Sequence, residues 1–406
     1  MGQFFIRGGK RLSGEIFASG SKNAALPIIF SSMLIYGKSV LSNVPDIVDV
    51  EVAFDILRDF GASIERCGNT VVIDTSSLKY KTPDVEKVAK IRASSYLIGA
   101  CLSRFGKAEI QRFGGCNFDN RPIDMHLAAA VALGAKISGE KIVADRLFGA
   151  DIIFDKVSVG ATVNAILLAA SADGVSRICG YAREPHVMSL IEFLNRAGGK
   201  IEVLGDFILV RGRSLTSSSA NIISDMIEAG TYLALSLASG SLLRVCGADR
   251  EELDSFIDAC VLGGAVAEFY DKTILFSGRI TDPMNIVTAP YPGFPTDLQP
   301  QMAPLMAVCE GGRISEGVWR NRFGYLLELS KFGVEFESYD GCAVIKKSKI
   351  VPSRATATDL RGGAALLIAA LCAQGDSIID GTDIIKRGYA DILPKLRNVG
   401  AEIEEI

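Results

Sequence analysis

Histidine is almost missing from this chain. His126 and His186 are the only two in 406 residues, and the nine cysteines are scattered with no Cys-x-x-Cys spacing. A zinc site is therefore not expected. The odd, dispersed cysteine count argues against a disulfide framework, so the thiols read as mostly small core residues of a reduced, cytosolic protein. Long apolar runs are missing as well. Stretches such as Ala364–Cys372 fall far short of the ~20 residues a membrane helix needs. The opening MGQFFIRGGKRLSGEIF lacks the apolar core of a signal peptide, and Arg7 stands where a myristoylation motif wants Ser or Thr. Positive charge is not in excess either. At a net charge of −4 there is no electrostatic footprint for nucleic acid or an anionic membrane.

What is present is an ordinary globular composition, 49% hydrophobic and 22% charged, in a chain long enough for two domains. It is organised by repetition. A helix-like run ending in Gly and followed by a short strand recurs at Gly61 (GASIERC), Gly134 (GAKISGE), Gly198 (GGKIEVL), Gly263 (GGAVAEF), Gly333 (GVEFESY) and Gly400 (GAEIEEI), roughly every 70 residues. In step with it, a small-residue helix opens near Ser21, Ile91, Val159, Met226, Pro295 and Thr358. Each unit reads helix, strand, strand, helix, strand.

Within the first unit, Val50, Ala53, Ile56, Leu57 and Phe60 fall at helical intervals, with Gly61 as a left-handed cap. GASIER and TVVIDT pair as a hairpin around Gly68-Asn69. The small-residue helices, such as GATVNAILLAASA and DLRGGAALLIAALCA, are apolar nearly all round and are expected to be buried. Three of them per domain would sit inside, with sheets and amphipathic helices outside. The sixth unit lacks its second strand, and Gln3–Arg7 (QFFIR) looks like that strand carried at the other end of the chain. The domains are accordingly expected at 21–225, and at 226–406 together with 1–20. Two crossings of the chain between them leave a cleft and a hinge.

Polar residues gather at the small-residue helix starts: Ser21-Lys22-Asn23, Arg92-Ala93-Ser94, Lys156 to Gly160, Pro295-Thr296-Asp297, and Thr358 to Arg361. Ser, Thr and Asp are common N-caps and need no ligand to explain them. Cations in a first helical turn oppose the helix dipole, so Lys22, Arg92, Lys156 and Arg361 point to an anion nearby. The stretch Arg112–His126 (RFGGCNFDNRPIDMH) reads as a Gly-rich loop. Its Cys116 is either a reactive thiol or an incidental surface cysteine. His126 reads as a structural histidine.

The ordered blocks GSKNAALP, IRASSYLIG, GGC…RPIDMH, DKVSVGAT, AREP, IEAGTY, APYPGFPTDLQPQ, NRF, ATDLRGGAAL and RGY cover essentially the whole chain. Together they resemble the enolpyruvyl transferases, in the branch that takes a uridine nucleotide rather than shikimate 3-phosphate. The fold this resemblance implies is α/β, a two-domain inside-out α/β barrel built from six repeats, with the active site in the interdomain cleft. The implied reaction moves enolpyruvyl from phosphoenolpyruvate to the 3-hydroxyl of UDP-N-acetylglucosamine and releases phosphate, opening peptidoglycan precursor synthesis. No cofactor and no metal is implied.

By the same resemblance, Cys116 is the general acid toward the methylene carbon and the position fosfomycin alkylates, and Asp297 takes or orients the sugar hydroxyl proton. Lys22, Arg92, Arg121 and Arg387 bind phosphoenolpyruvate, Lys22 and Arg387 as catalytic residues. Arg322, Arg361 and Asp359 line the same centre. Asn23 reaches both the sugar and that centre, and Arg92 also faces the nucleotide. Arg121, Pro122, Ile123, Asp124 and Met125 correspond to the uracil-contacting segment. Lys156, Ser158, Val159 and Gly160 correspond to the diphosphate-contacting one. The implied partners are these small molecules, with no nucleic acid and no membrane insertion. Nothing in the sequence sets an oligomeric state, and a monomer is compatible with it.

The chain departs from the family at three places. Asp225-Met226-Ile227-Glu228 stands where Asp-Arg-Ile-Glu is common. Arg320-Asn321-Arg322-Phe323-Gly324-Tyr325 stands where Glu-Asn-Arg-Phe-Met-His is common. Lys386 replaces an acidic residue before Arg-Gly-Tyr. These changes bear on the acceptor or the efficiency more than on the reaction type. Two alternatives stand beside the main reading: another uridine nucleotide as acceptor, and a catalytically silent nucleotide-binding paralogue. Retention of Lys22, Cys116, Asp297, Asp359, Arg361 and Arg387 together speaks against silence.

Overall fold

The computed structural model describes residues 2–114 and 122–406. They fall into two compact units. The N-terminal unit holds 20–114 and 122–223, and the C-terminal unit holds 2–19 and 224–406.

Inside the N-terminal unit lie the helices Lys22–Ser31, Leu97–Phe105 and Val159–Ser171. A 3-10 turn, Arg92–Tyr96, leads into the second. Every residue from Ala161 to Ala170 is buried, as an all-round apolar sequence requires. Each fully buried aliphatic contributes about 1.5–3 kcal/mol relative to exposure. The one amide in this stretch, Asn164, is satisfied on every side. Its Oδ1 accepts from the Gly99 backbone N–H at 2.6 Å, and the two protons of its Nδ2 are shared among His126 Nδ1 at 2.8 Å and Ser95 O and Gly160 O, both at 3.2 Å. It thereby ties the third core helix to the second, where an unmatched amide would cost on the order of 1–3 kcal/mol.

Sheets stand outside these helices. Leu215–Asn221, from the end of the third repeat, pairs in parallel with Ile35–Ser42 of the first, and the hairpin Thr70–Asp74 and Ser63–Cys67 completes that sheet. The hairpin turns through Gly68 at φ +59°, a left-handed position that Gly adopts without strain. The amphipathic helices Val48–Asp59 and Pro185–Arg196, and the alanine-rich helix Asp124–Ala132, complete the repeats.

The C-terminal unit repeats the plan around Met226–Ser239, Gln299–Val308 and Leu360–Cys372, which pack on one another in a single hydrophobic core. Two strands come from the start of the chain. Gln3–Gly8 lies between Gly375–Asp380 and Glu402–Glu405, antiparallel to both, so the strand missing from the sixth repeat is supplied where the sequence pattern predicts it. Ser13–Phe17 runs parallel to Leu242–Cys246. Among the described residues the sheets are five of four strands and one of three, and none closes on itself. No described helix is long and apolar enough to cross a membrane.

Core helices open at Lys22, Val159, Met226 and Leu360, each behind a side-chain cap: Ser21, Ser158, Asp225 and Asp359. Two expected starts are displaced. The α-helix expected near Ile91 begins at Leu97, behind the 3-10 turn Arg92–Tyr96. The helix predicted from Pro295 begins at Gln299, because Pro300, which has no N–H to give, occupies its first turn. Thr296, Asp297 and Leu298 form the turn before it.

Candidate active site

In the C-terminal unit the geometry centres on Asp297. Asp297 precedes its helix, whose N-cap is Leu298, and its carboxylate meets the side chains of two arginines. Arg322 Nη1 donates to Oδ1 at 2.7 Å and also to Thr296 Oγ1 at 3.1 Å. Arg361 Nε donates to Oδ2 at 3.2 Å, and its Nη2 lies 3.2 Å from the same oxygen. The arginine side chains are only 5% and 2% exposed, whereas that of Asp297 is 30% exposed. The reachable group is therefore the carboxylate, and the two guanidinium forks hold it. It is placed to take or orient a proton from a hydroxyl.

Arg361 reaches that position from the first turn of the Leu360–Cys372 helix. Asp359 caps this helix by accepting from the N–H groups of Arg361 at 3.0 Å and Gly362 at 2.9 Å. A Cβ on Gly362 would stand 2.6 Å from Asp359 Oδ2 and 2.7 Å from Tyr325 Cβ. Only glycine fits there. Arg387 sits half-buried in the 3-10 turn Ile385–Arg387. Its neighbour Lys386, one of the departures from the family, pairs with Glu405. Met226, another departure, is the first residue of its helix.

In the N-terminal unit Lys22 opens its helix and pairs with Asp49 at 3.3 Å, the two side chains 14% and 5% exposed. A cation in the first turn is thus met by a carboxylate of the protein itself, as Arg361 is met by Asp297. Asn23 and Arg92 are half-buried. Ser158 caps the helix from Val159, accepting from Ala161 N at 3.3 Å, with Lys156 exposed just before it and Gly160 in its first turn. A Cβ on Gly160 would lie 2.8 Å from His126 Cε1. This close approach brings the segment Pro122, Ile123, Asp124 and Met125 to the Ser158–Gly160 helix start. Pro122 and Asp124 are exposed there, and Ile123 and Met125 half-buried.

His126 is the buried pivot between them. Its Nδ1 accepts from Asn164 Nδ2 at 2.8 Å. Burial, and then the charge of Arg92, push it down to about 4 against the opposite pull of Asp124. It is neutral and structural, as its setting in the sequence suggests. Cys116 and Arg121 lie outside the described residues.

The eight described cysteines are all free. Only Cys101, Cys260 and Cys342 are buried, while Cys67 is exposed and the others are half-buried, so fewer are core residues than their apolar contexts predict. Burial raises the Cys101 and Cys260 thiols. Among the described residues no cluster of three or more His, Cys, Asp or Glu could hold a metal ion.

Several polar residues of this architecture escape sequence reading. Glu228 is 1% exposed and accepts from Ser19 N at 2.7 Å, Tyr232 OH at 2.7 Å and Lys395 Nζ at 2.6 Å. Asp49 and Glu316 are likewise buried carboxylates. Apart from Tyr232, one turn on from Glu228 in the same helix, their partners are distant in sequence or lie in loops, where no periodicity points to them.

Comparison with known proteins bears on the family and the fold. A UDP-N-acetylglucosamine 1-carboxyvinyltransferase 3 of Caldanaerobacter subterraneus subsp. tengcongensis is 41% identical, with 100% of each chain covered. A UDP-N-acetylglucosamine 1-carboxyvinyltransferase of Halothermothrix orenii is 39% identical, again over 100% of each. Among solved structures, the enolpyruvyl transferase NikO from Streptomyces tendae matches with a TM-score of 0.89 at 26% identity, covering 100% of this chain and 99% of that one. An EPSP synthase from Acinetobacter baumannii shares the fold with a TM-score of 0.73 at 18% identity, over 100% of both chains. The family model for EPSP synthase (3-phosphoshikimate 1-carboxyvinyltransferase) matches residues 6–396, through the repeats of both units, and the chain belongs to that family.

Proposed function

We propose that this chain transfers the enolpyruvyl group of phosphoenolpyruvate to the 3-hydroxyl of UDP-N-acetylglucosamine and releases phosphate. The observation that carries this reading is the partly exposed Asp297 carboxylate held by two buried guanidiniums. It occurs in a chain with full-length relatives near 40% identity that are named for this transfer. In the addition step the sugar oxygen attacks C2 of phosphoenolpyruvate and its proton passes to Asp297. Cys116, outside the described residues, gives a proton to the C3 methylene, and a tetrahedral ketal results. In the elimination step a base takes a proton from C3, the C–H electron pair forms the C2–C3 double bond, phosphate leaves with the C2–O electron pair, and the enol ether remains.

Lys22, Arg92, Arg121, Arg387, Arg322 and Arg361 would carry the phosphate and carboxylate, with Asp359 fixing the turn that bears Arg361. Asn23 would reach the sugar. Pro122, Ile123, Asp124 and Met125 would meet the uracil. Lys156, Ser158, Val159 and Gly160 would take the diphosphate at a helix N-terminus, where unpaired N–H groups favour anions. The enolpyruvyl transferase domains are taken as 21–225 and as 226–406 with 1–20. Both substrates are polyanions that do not cross a bilayer unaided, which assigns the enzyme to the cytoplasm.

A second reading, another uridine nucleotide as acceptor, is favoured by Met226, uncharged at the start of its helix. The test is phosphate release from phosphoenolpyruvate with UDP-N-acetylglucosamine, beside UMP and shikimate 3-phosphate, with Cys116→Ser as control. Release with UDP-N-acetylglucosamine and its loss in Cys116→Ser is the expected result. Release only with UMP selects the second reading, and no release with any acceptor overturns the activity.

A further inference from the structure

Behind Asp297 runs a chain of hydrogen bonds that ends on Glu316, a residue the proposed reaction does not use. Glu316 is 4% exposed. Its Oε1 accepts from the backbone N–H groups of Val318 and Trp319, each at 3.0 Å, and from the hydroxyl of Thr288. Its Oε2 accepts from Thr296 Oγ1 at 3.0 Å. A threonine hydroxyl has a single proton. Once that proton is given to Glu316, Thr296 Oγ1 can only accept from Arg322 Nη1, which it does at 3.1 Å. Glu316 thus fixes the polarity of the hydroxyl that Arg322 leans on.

The same carboxylate holds Arg322 from its other end. By binding the N–H groups of Val318 and Trp319 it folds the loop in which Trp319 O accepts from the Arg322 N–H at 3.0 Å. The backbone and the guanidinium of Arg322 therefore both trace back to one buried side chain. A buried carboxylate with this many donors is costly to desolvate and worth keeping only where its geometry is used.

We infer that Glu316 is a positioning residue, which acts through Thr296 and the 317–321 loop to hold the Arg322 guanidinium against Asp297. The role rests on the proposed function in one respect only: Asp297 is taken as the group that handles the acceptor proton. Loosening Arg322 removes one of the cations that the described residues place on that carboxylate. The proton affinity of Asp297 then rises, and the acid limb of the rate profile moves to higher pH.

The experiment measures kcat, KM and the pH profile for wild type, Thr296→Val, Thr296→Ser, Glu316→Gln and the Thr296→Val/Glu316→Gln double variant. Thr296→Val and Glu316→Gln are each expected to lower kcat by roughly 10- to 100-fold, with the nucleotide KM within about threefold and the acid limb displaced upward. Thr296→Ser restores kcat. The double variant is no worse than the poorer single, because both changes cut one chain. Wild-type kcat and an unmoved acid limb in Thr296→Val overturn the inference, as does a double variant whose losses multiply.

A readout independent of activity is also available, since Trp319 is the only tryptophan in the sequence. If wild type releases no phosphate, the functional reading falls, and acrylamide quenching of Trp319 then decides the inference. Glu316→Ala raises the quenching constant about twofold or more if the carboxylate holds the loop. An unchanged constant overturns the inference.

Discussion

The guanidinium of Arg361 stands over the ring of Tyr389, 5.4 Å from its centroid. The phenol is itself anchored: its hydroxyl lies 2.9 Å from Thr231 Oγ1 and accepts from Gln301 Nε2 at 3.2 Å. Thr231 and Gln301 belong to the other two core helices of the unit, so one tyrosine joins all three helices to the arginine on Asp297. A cation over an aromatic face gains about 1–2 kcal/mol when desolvated. Tyr389→Phe keeps the face and loses the anchor. It should cost about 1–2 kcal/mol of stability while holding turnover within a few-fold. Tyr389→Leu removes the face and should lower turnover by roughly tenfold or more. Equal turnover in the two variants would show that the ring does not position Arg361.

His126 makes stability depend on pH. Its folded value of about 4 lies below the ordinary 6.5, so the unfolded chain binds the proton more tightly. Its contribution is complete above about 6.5 and is lost as the pH falls toward 4, a change of roughly 3 kcal/mol. Urea unfolding at several pH values should give wild type a steeper rise over this window than His126→Gln, whose amide can still meet Asn164. Parallel curves would contradict the assignment.

The pair Glu228–Lys395 should behave as a buried salt bridge, with side chains 1% and 16% exposed. Lys395→Met strands a carboxylate among two remaining donors and should cost about 3–5 kcal/mol. Adding Glu228→Gln removes the stranded charge, so the double variant should be more stable than Lys395→Met alone. Equilibrium unfolding of the two variants checks the order, and a double variant less stable than the single would rule out the stranded charge.

The repeats were legible because burial writes a period into the chain. Val159, Met226 and Leu360 open their helices where small apolar runs meet a Ser or Asp cap, and Gln3–Gly8 pairs where a strand is missing from the sixth unit. The start expected at Pro295 failed for a local reason, since a second proline at 300 resets the first turn. Asp297, Arg322 and Arg361 could be named from resemblance, but their joint geometry could not, because they lie on three separate loops and helix ends. Partners such as Asp49 for Lys22, and Glu316 for Thr296, had no signal. A buried carboxylate matched to a distant donor leaves no spacing in the sequence.

Glu252 offers a stabilising change whose sign follows from competing terms. It is half-buried in the first turn of the helix Arg250–Leu262, capped by Asp249. A helix N-terminus favours an anion by about 0.3–1 kcal/mol, and Lys272 acts in the same direction. Against these stand burial first, then the charges of Asp249 and Asp225, and together they raise the carboxyl to about 7. The unfavourable terms win. With its folded value above the ordinary 4.5, the folded chain holds the proton more tightly. The stabilising effect is complete below about 4.5 and is lost as the pH rises through 7. Glu252→Gln keeps the shape and drops the charge, so it should match wild type near pH 4.5 and exceed it at pH 8 by on the order of 1–3 kcal/mol. Thermal unfolding at the two pH values reads the difference directly, and a variant less stable than wild type at pH 8 would mean that the helix terminus, and not burial, governs this carboxylate.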